Sequence, residues 1–218
     1  MTPLLTKEMS NLVEEILQRL DGKYPDAECE LDYKTPFTLL IAVILSAQCT
    51  DKRVNEVTKD LFVKYDTPAE FASLKVEQLE KLIYKCGFYH SKAKNIIGAA
   101  KKICSDFGGE VPSTMEGLLS LPGVGRKTAN VVLAEAFKQQ TAPVDTHVFR
   151  VSHRLGLSDG KTPEEVEKDL LRIVPTEKLI KTHHLLIFQG RYVCHSQNPD
   201  CAACELRSYC EYYQKLTK

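Results

Sequence analysis

The 218-residue chain has no apolar stretch approaching the ~18 residues that a membrane-spanning helix requires, which excludes such a helix and sets aside a membrane partner. No segment alternates apolar and polar residues with period two, so half-buried strands are not expected and the fold class is all-α. Internal repeats and low-complexity tracts are also missing, which sets aside solenoids and flexible arrays. Net charge is absent as well, with 29 Lys and Arg against 29 Asp and Glu, and taken alone that argues against a nucleic-acid partner. Its distribution argues the other way. Residues 1–89 carry 11 basic against 15 acidic side chains, and residues 90–218 carry 18 against 14, so the second half is the candidate for phosphate contact. The N-terminus lacks the character of a leader, because Glu8, Glu14 and Glu15 sit on a helical pattern. A cytoplasmic protein is expected, nucleoid-associated if bacterial.

What is present is helical periodicity almost throughout. Leu12, Val13, Ile16, Leu17 and Leu20 share one face of a first helix over Lys7 to Leu20. Thr35-Pro36 starts a helix that is apolar nearly all round from Phe37 to Ala47, and this should be the buried centre of its domain. Thr50 or Asp51 caps the next helix, and Thr67-Pro68-Ala69-Glu70 starts another. Further patterns run from Val76 to Cys86, from a Ser91 cap to Phe107, from an Asp145 cap to Leu155, from Thr162-Pro163 onward, and from Glu177 to Tyr192. About ten helices joined by short loops result.

The chain is organised around Leu121 to Ala129, Leu-Pro-Gly-Val-Gly-Arg-Lys-Thr-Ala. Ser113-Thr114-Met115-Glu116 has the spacing of a capping box and starts a short helix before it, and Thr128 to Phe137 forms a second helix after it. Pro122, Gly123 and Gly125 then make a tight helix-hairpin-helix turn. The amides of Gly123, Val124 and Gly125 precede a helix N-terminus, where N–H groups and the helix dipole favour an anion such as a DNA phosphate. An ordinary αα-hairpin is the plainer alternative, weakened by Arg126 and Lys127 at the exit of the turn.

Lys127 lies in the first turn of that second helix, where the dipole and Arg126 favour the neutral amine that can attack a sugar C1′ and form a Schiff base. Asp145 is its natural partner for steadying positive charge on the sugar or moving protons. Alone, an exposed helix lysine and a plain N-cap would account for the two. His147, Arg150, His153 and Arg154 share a face of the following helix and either grip phosphates or form a solvated basic surface. Gln48, a carboxamide ending a buried helix, either caps local backbone or is presented to a nucleic-acid cavity.

Eight cysteines divide into two groups. Cys29, Cys49, Cys86 and Cys104 are scattered through helical patterns and read as core thiols. Cys194, Cys201, Cys204 and Cys210 follow a Cys-x6-Cys-x2-Cys-x5-Cys spacing and can wrap one metal centre. Four thiolates suit zinc or a [4Fe–4S] cube equally by ligand type, but a zinc ribbon usually has two Cys-x2-Cys knuckles, so the spacing favours the cube. A structural staple is its leading role, with redox tuning of DNA affinity second.

The hairpin, Val144-Asp145-Thr146-His147-Val148 and the cysteine spacing together resemble endonuclease III, the helix-hairpin-helix DNA glycosylase family with a [4Fe–4S] cluster. Leu45-Ser46-Ala47-Gln48 and Gly87-Phe88-Tyr89 match further segments of it, and the resemblance covers essentially the whole chain. It implies a six-helix lobe over 29–139 and an iron–sulfur lobe from 1–28 with 140–218, DNA lying across the cleft with the damaged nucleotide flipped out. It implies that Lys127 and Asp145 are catalytic, that Gln48 fills the space vacated in the duplex, and that Phe88 is an intercalating wedge. The implied partner is duplex DNA with damaged bases or abasic sites, bound by a monomer. The implied reaction is excision of oxidised pyrimidines followed by β-elimination on the 3′ side.

Two departures stand out. The family's usually basic loop between the first two cluster cysteines is here His195-Ser196-Gln197-Asn198-Pro199-Asp200, without Lys or Arg. Cys49 replaces a frequent alanine, and Phe88 is bulkier than the common leucine. Monofunctional adenine or thymine mismatch glycosylases are the near rivals, opposed by Lys127 and, for the adenine-specific ones, by the end of the chain at Lys218. A catalytically silent, metal-stapled DNA-binding module is the rival from another class.

Overall fold

The computed structural model describes residues 7–217; the start of the expected iron–sulfur lobe at residues 1–6 and the chain end at Lys218 lie outside the described residues. All regular structure among those residues is helical, and no helix is long and apolar enough to cross a membrane. The chain divides into two compact units, Glu30–Gln139 and a second made of Met1–Cys29 with Gln140–Lys218.

The Glu30–Gln139 unit is built on α2 (Pro36–Ser46), in which every residue from Phe37 to Leu45 is buried. A helix buried on all sides needs a good start, and Thr35 supplies it: its hydroxyl accepts from the Thr38 amide while Thr38 accepts in return. Around α2 pack α3 (Asp51–Lys64), α6 (Tyr89–Asp106) and α8 (Arg126–Phe137). Two shorter helices, α4 (Pro68–Ser73) and α5 (Val76–Ile83), lean on α6, and α7 (Met115–Leu119) leads into α8. Phe71 of α4 is fully buried and meets Phe37 edge-on at 5.3 Å, which ties α4 to the central helix.

The second unit holds α1 (Lys7–Lys23), α9 (Thr146–Leu155), α10 (Pro163–Ile173), a 310 turn at Thr176–Lys178, α11 (Leu179–Tyr192) and α12 (Glu211–Leu216). The face of α1 that carries Val13, Ile16, Leu17 and Leu20 packs with Val148, Val151 and Leu155 of α9 and Leu185 and Leu186 of α11 in one core. Helices α9 and α11 approach so closely that a Cβ on Gly190 would lie 2.8 Å from the His147 Cβ.

Several local expectations are corrected. Helix α6 starts at Tyr89, and Ser91 lies inside its first turn, giving its hydroxyl to the Phe88 carbonyl instead of capping. Thr114, not Ser113, caps α7, its hydroxyl accepting from the Gly117 amide. Helix α8 begins two residues early, at Arg126, because Gly125 already takes the extended cap conformation. The helix α12 after Cys210 went unforeseen, its six residues being too few to show a period. Of the four scattered cysteines only Cys86 is buried; Cys29, Cys49 and Cys104 are half-buried.

At the start of α4 the Glu70 carboxylate accepts from the amides of Asp66 and Thr67 and from the Thr67 hydroxyl. These bonds hold its pKa below the ordinary glutamate value, the Asp66 amide contributing most. The bonds therefore stabilise the fold above the usual glutamate pKa and are lost as pH falls through the lowered value. In an NMR titration Glu70 should protonate below the ordinary glutamate range, and Glu70→Gln should remove that acid-dependent share of stability.

Candidate DNA interface and cysteine centre

In the Glu30–Gln139 unit three turns are set against the one helix α6. The first is the hairpin turn between α7 and α8. Leu121 and Val124 are buried and anchor it, the Val124 amide bonding back to the Leu121 carbonyl at 3.2 Å. That amide is spent inside the turn and is not offered to an anion. Gly123 has φ +77°, and a Cβ there would lie 2.7 Å from the Cβ of Asn95 on α6. Its missing side chain is thus used by the protein itself. Gly125 differs: a Cβ would meet nothing within 4 Å, so an outside group can approach its backbone. Thr35, Thr50, Thr67, Thr114, Asp145 and Thr162 each cap a helix with a side chain, whereas Gly125 leaves the start of α8 without one. Arg126 and Lys127 are exposed in that first turn, and Lys127 makes no ion pair among the described residues.

The second turn ends α2. Gln48 is exposed with φ +53°, in the left-handed region that side chains rarely enter. Its position is held by a residue the sequence pattern concealed. Lys92 of α6 is 5% exposed and donates to the carbonyls of Leu45 and Ala47, both at 2.7 Å, closing the C-terminus of α2. Burial lowers the Lys92 pKa, with the thiols of Cys86 and Cys49 opposing. An inward lysine beside Ala93 and Ile96 was the only sequence sign of this. The third turn begins α6. Phe88 has φ +58° and its ring is 66% exposed, directed to solvent by a backbone that keeps it out of the core. A Cβ on Gly87 would lie 3.4 Å from the Gln48 carbonyl oxygen, so the Gln48 and Phe88 turns touch. Two left-handed side-chain residues in adjacent turns cost roughly 1–3 kcal/mol each and mark a place where position matters more than stability.

In the other unit Asp145 caps α9. Its Oδ1 accepts from the amides of His147 and Val148, both at 2.8 Å, and Oδ2 has no partner among the described residues. The buried Pro143-Val144 pair precedes it, and the buried His183 ring bonds the Pro143 carbonyl at 2.8 Å. His183 was not singled out in the sequence, where it reads as one more polar residue of a long helix.

Beyond Asp145 the basic face does a second job. Arg150 donates to the carbonyls of Cys194 and Gly190, each at 3.0 Å, and sits 3.2 Å from His147 Nδ1. Its remaining bond, to the Thr146 carbonyl, is long at 3.4 Å. Arg154 donates to the carbonyls of His195 and Ser196 and to Cys194 Sγ, and lies over the Tyr212 ring at 4.5 Å. His153 bonds the carbonyls of Phe149 and Gly160. Arg150 and Arg154 thus brace the segment that carries the cysteines.

Cys194, Cys201, Cys204 and Cys210 line one cavity enclosed by α9, the end of α11 and the turns before α12. Gln189 donates to Cys204 Sγ at 3.3 Å, as Arg154 does to Cys194 Sγ at the same distance. Burial pushes the Cys201 thiol up, the nearby Cys194 and Cys204 add to it, and Arg154 opposes. Burial also raises Cys210. Four converging thiols, two of them pushed up by burial and the other two already supplied with N–H donors to sulfur, fit a cationic thiophilic centre, which would offset the repulsion between thiolates. Among the described residues no three His, Cys, Asp or Glu side chains are grouped around the position of a single metal ion.

Residues 41–176 match the model of the HhH-GPD superfamily base excision DNA repair proteins. The endonuclease III of Rickettsia conorii is 49% identical over 207 residues, covering 95% of this chain and 99% of that protein. The endonuclease III of Bacillus subtilis is 51% identical over 207 residues, covering 94% of each. A solved structure of a trapped endonuclease III–DNA covalent intermediate superposes with a TM-score of 0.91 at 46% identity, over 96% of this chain and 99% of that one.

Gly123 is the position where the hairpin tolerates least. Gly123→Ala forces a positive φ on a side chain and drives its Cβ onto Asn95, so a loss of about 2 kcal/mol in urea unfolding is expected. Gly125→Ala, with open space and an extended backbone, should stay within about 0.5 kcal/mol of the parent.

Proposed function

Because the chain belongs to the endonuclease III family of base-excision DNA-repair proteins, we propose that it is a bifunctional glycosylase and abasic-site lyase acting on oxidised pyrimidines in duplex DNA. The observation that carries the reading is Lys127: an exposed amine in the first turn of the one hairpin helix that starts without a side-chain cap, next to the open backbone of Gly125. The hairpin turn binds a phosphate through Gly123, Gly125 and Arg126, with Val124 as its buried anchor. His147 and Arg150 add contacts from the other unit, Arg150 through the nitrogen whose bond to Thr146 is long. Gln48 enters the space left by the flipped nucleotide, and Phe88 wedges into the stack.

In the chemical step the neutral Lys127 amine attacks C1′. The C1′–N bond to lysine forms, the glycosidic bond breaks, and the base leaves with a proton. Asp145, with one oxygen committed to its helix cap, uses the other to steady the positive charge that develops on the sugar. Ring opening gives a Schiff base. Loss of a C2′ proton then expels the 3′-phosphate oxygen and leaves a nick on the 3′ side. Borohydride should trap the protein covalently on abasic-site DNA, and Lys127→Ala should abolish the adduct. Asp145→Asn should keep the α9 cap, since an amide oxygen still accepts, while base release falls about 100-fold or more. Undiminished trapping by Lys127→Ala sinks the lyase assignment and leaves a silent DNA-binding module.

The cysteine centre is proposed to hold one [4Fe–4S] cluster through Cys194, Cys201, Cys204 and Cys210. When bound it supplies a cationic hub that ties the chain's last turns to α9 and α11, and no reaction step passes through it. Protein purified without oxygen should be brown with broad visible absorption. Cys204→Ser should bleach it and lower the melting temperature. A colourless protein carrying one equivalent of zinc would overturn the assignment.

A further inference from the structure

Two thiols sit beside the Gln48 and Phe88 turns, and no step above uses them. Cys49 follows Gln48 directly, and Cys86 lies two residues before Phe88. The turns meet at Gly87 and the Gln48 carbonyl, and Lys92 fixes the first of them through the Ala47 carbonyl. Each turn is closed by its own backbone bond, Cys49 amide to Ser46 carbonyl at 3.0 Å and Cys86 amide to Ile83 carbonyl at 2.8 Å. The two side chains interact with each other, and the Lys92 ammonium acts on both. Their exposures differ: Cys86 is fully buried and Cys49 half-buried. Burial pushes the Cys86 thiol up to about 11, the neighbouring Cys49 adding to it. A thiol that ionises so reluctantly favours the disulfide over the free thiolate. One sulfur is thus open to a small oxidant, and the other waits behind it.

We propose that Cys49 and Cys86 are an oxidisable pair, which a hydroperoxide converts into a disulfide that locks the Gln48 turn to the Phe88 turn and weakens DNA binding. With hydrogen peroxide, Cys49 sulfur attacks the O–O bond; the S–O bond forms, the O–O bond breaks, and water leaves. Cys86 sulfur then displaces the hydroxyl from Cys49; the S–S bond forms, the S–O bond breaks, and a second water carries away the Cys86 proton. Two thiols are oxidised and one peroxide is reduced to two waters. A dithiol reductant reverses the product. With Gly87 already near the Gln48 carbonyl, the cross-link fixes the left-handed residues at the two tips relative to each other, so neither can adjust to a duplex on its own. The cross-link stands on the contact between the turns alone, while its effect on DNA rests on the function proposed above.

The test uses the complete protein with its cysteine centre intact, treated with one to a few equivalents of hydrogen peroxide, alkylated and cut with trypsin. The two sulfurs fall in residues 35–52 and 86–92, each holding one cysteine. The expected product is those two peptides joined, lighter by two hydrogens, separated by dithiothreitol, and missing from Cys86→Ala and Cys49→Ser. Affinity for a duplex with a stable abasic-site analogue should fall about tenfold on oxidation and recover on reduction. Cys86→Ala under the same peroxide should keep its affinity, which also excludes damage to the other six cysteines as the cause. Cys49 passing to sulfinic acid while Cys86 stays a thiol overturns the proposal, as does a cross-link that leaves affinity unchanged. Failure of the functional reading shows separately, as reduced protein that neither binds the duplex nor is trapped by borohydride.

Discussion

One buried ammonium holds in place the surface of the Glu30–Gln139 unit that is proposed to meet DNA. Lys92 spends two charge-assisted hydrogen bonds on the carbonyls of Leu45 and Ala47, where the buried helix α2 comes to its end. The chain can then leave α2 through a left-handed Gln48, one turn away from the core. Because Lys92 belongs to α6, the same helix that begins at Phe88 and receives the hairpin turn at Asn95, three separate turns inherit one frame of reference. A displacement of α6 would move Gln48, Phe88 and the start of α8 together. Rigid placement by a shared helix is what a surface needs if several side chains must meet a duplex at once.

The second unit solves a different problem with the same economy. Its α9 carries Asp145 at one end and, along one face, the arginines that hold the cysteine segment. Among the described residues Arg150 and Arg154 pair with no carboxylate; they satisfy carbonyls and sulfur, most of them in a stretch of turns that has no regular structure of its own. An irregular segment normally loses its shape unless its backbone groups find partners. Here two guanidinium groups carried by α9 provide them for the carbonyls of Cys194, His195 and Ser196. The carboxylate proposed as catalytic caps the same ten-residue helix whose arginines brace the cysteine segment.

Of the four described non-glycine residues with positive φ, two, Gln48 and Phe88, are proposed contacts with DNA, and the other two, Lys138 and Asn198, are not. Gln48 and Phe88 occupy backbone conformations that glycine would fill without cost, and neither is glycine. Asp145 likewise uses only one of its oxygens to hold the fold. The bland roles that the sequence allowed for these residues, a local cap for Gln48 and an N-cap for Asp145, divide differently. Asp145 is a cap and leaves its second oxygen without a partner among the described residues, whereas at the end of α2 Lys92, not Gln48, satisfies the last carbonyls.

Most of the architecture was legible because it is written locally. Helix periodicity, Thr-Pro starts and a glycine turn report on neighbours three or four residues away, and the all-helical fold, the buried α2 and the hairpin follow from them. The cysteine spacing is also local, since four ligands within 17 residues constrain one another. The misplaced starts of α6 and α7 show the limit: Ser91 and Ser113 are good caps by composition, but Phe88 and Thr114 sit where the chain turns. What only the tertiary structure decided involves partners distant in sequence. Lys92 reaches back 47 residues to Leu45, Arg150 reaches forward 44 to Cys194, and Cys86 meets Cys49 because two turns lean on each other. A side chain's type states what bonds it can make; which groups come within reach is settled by the packing of helices.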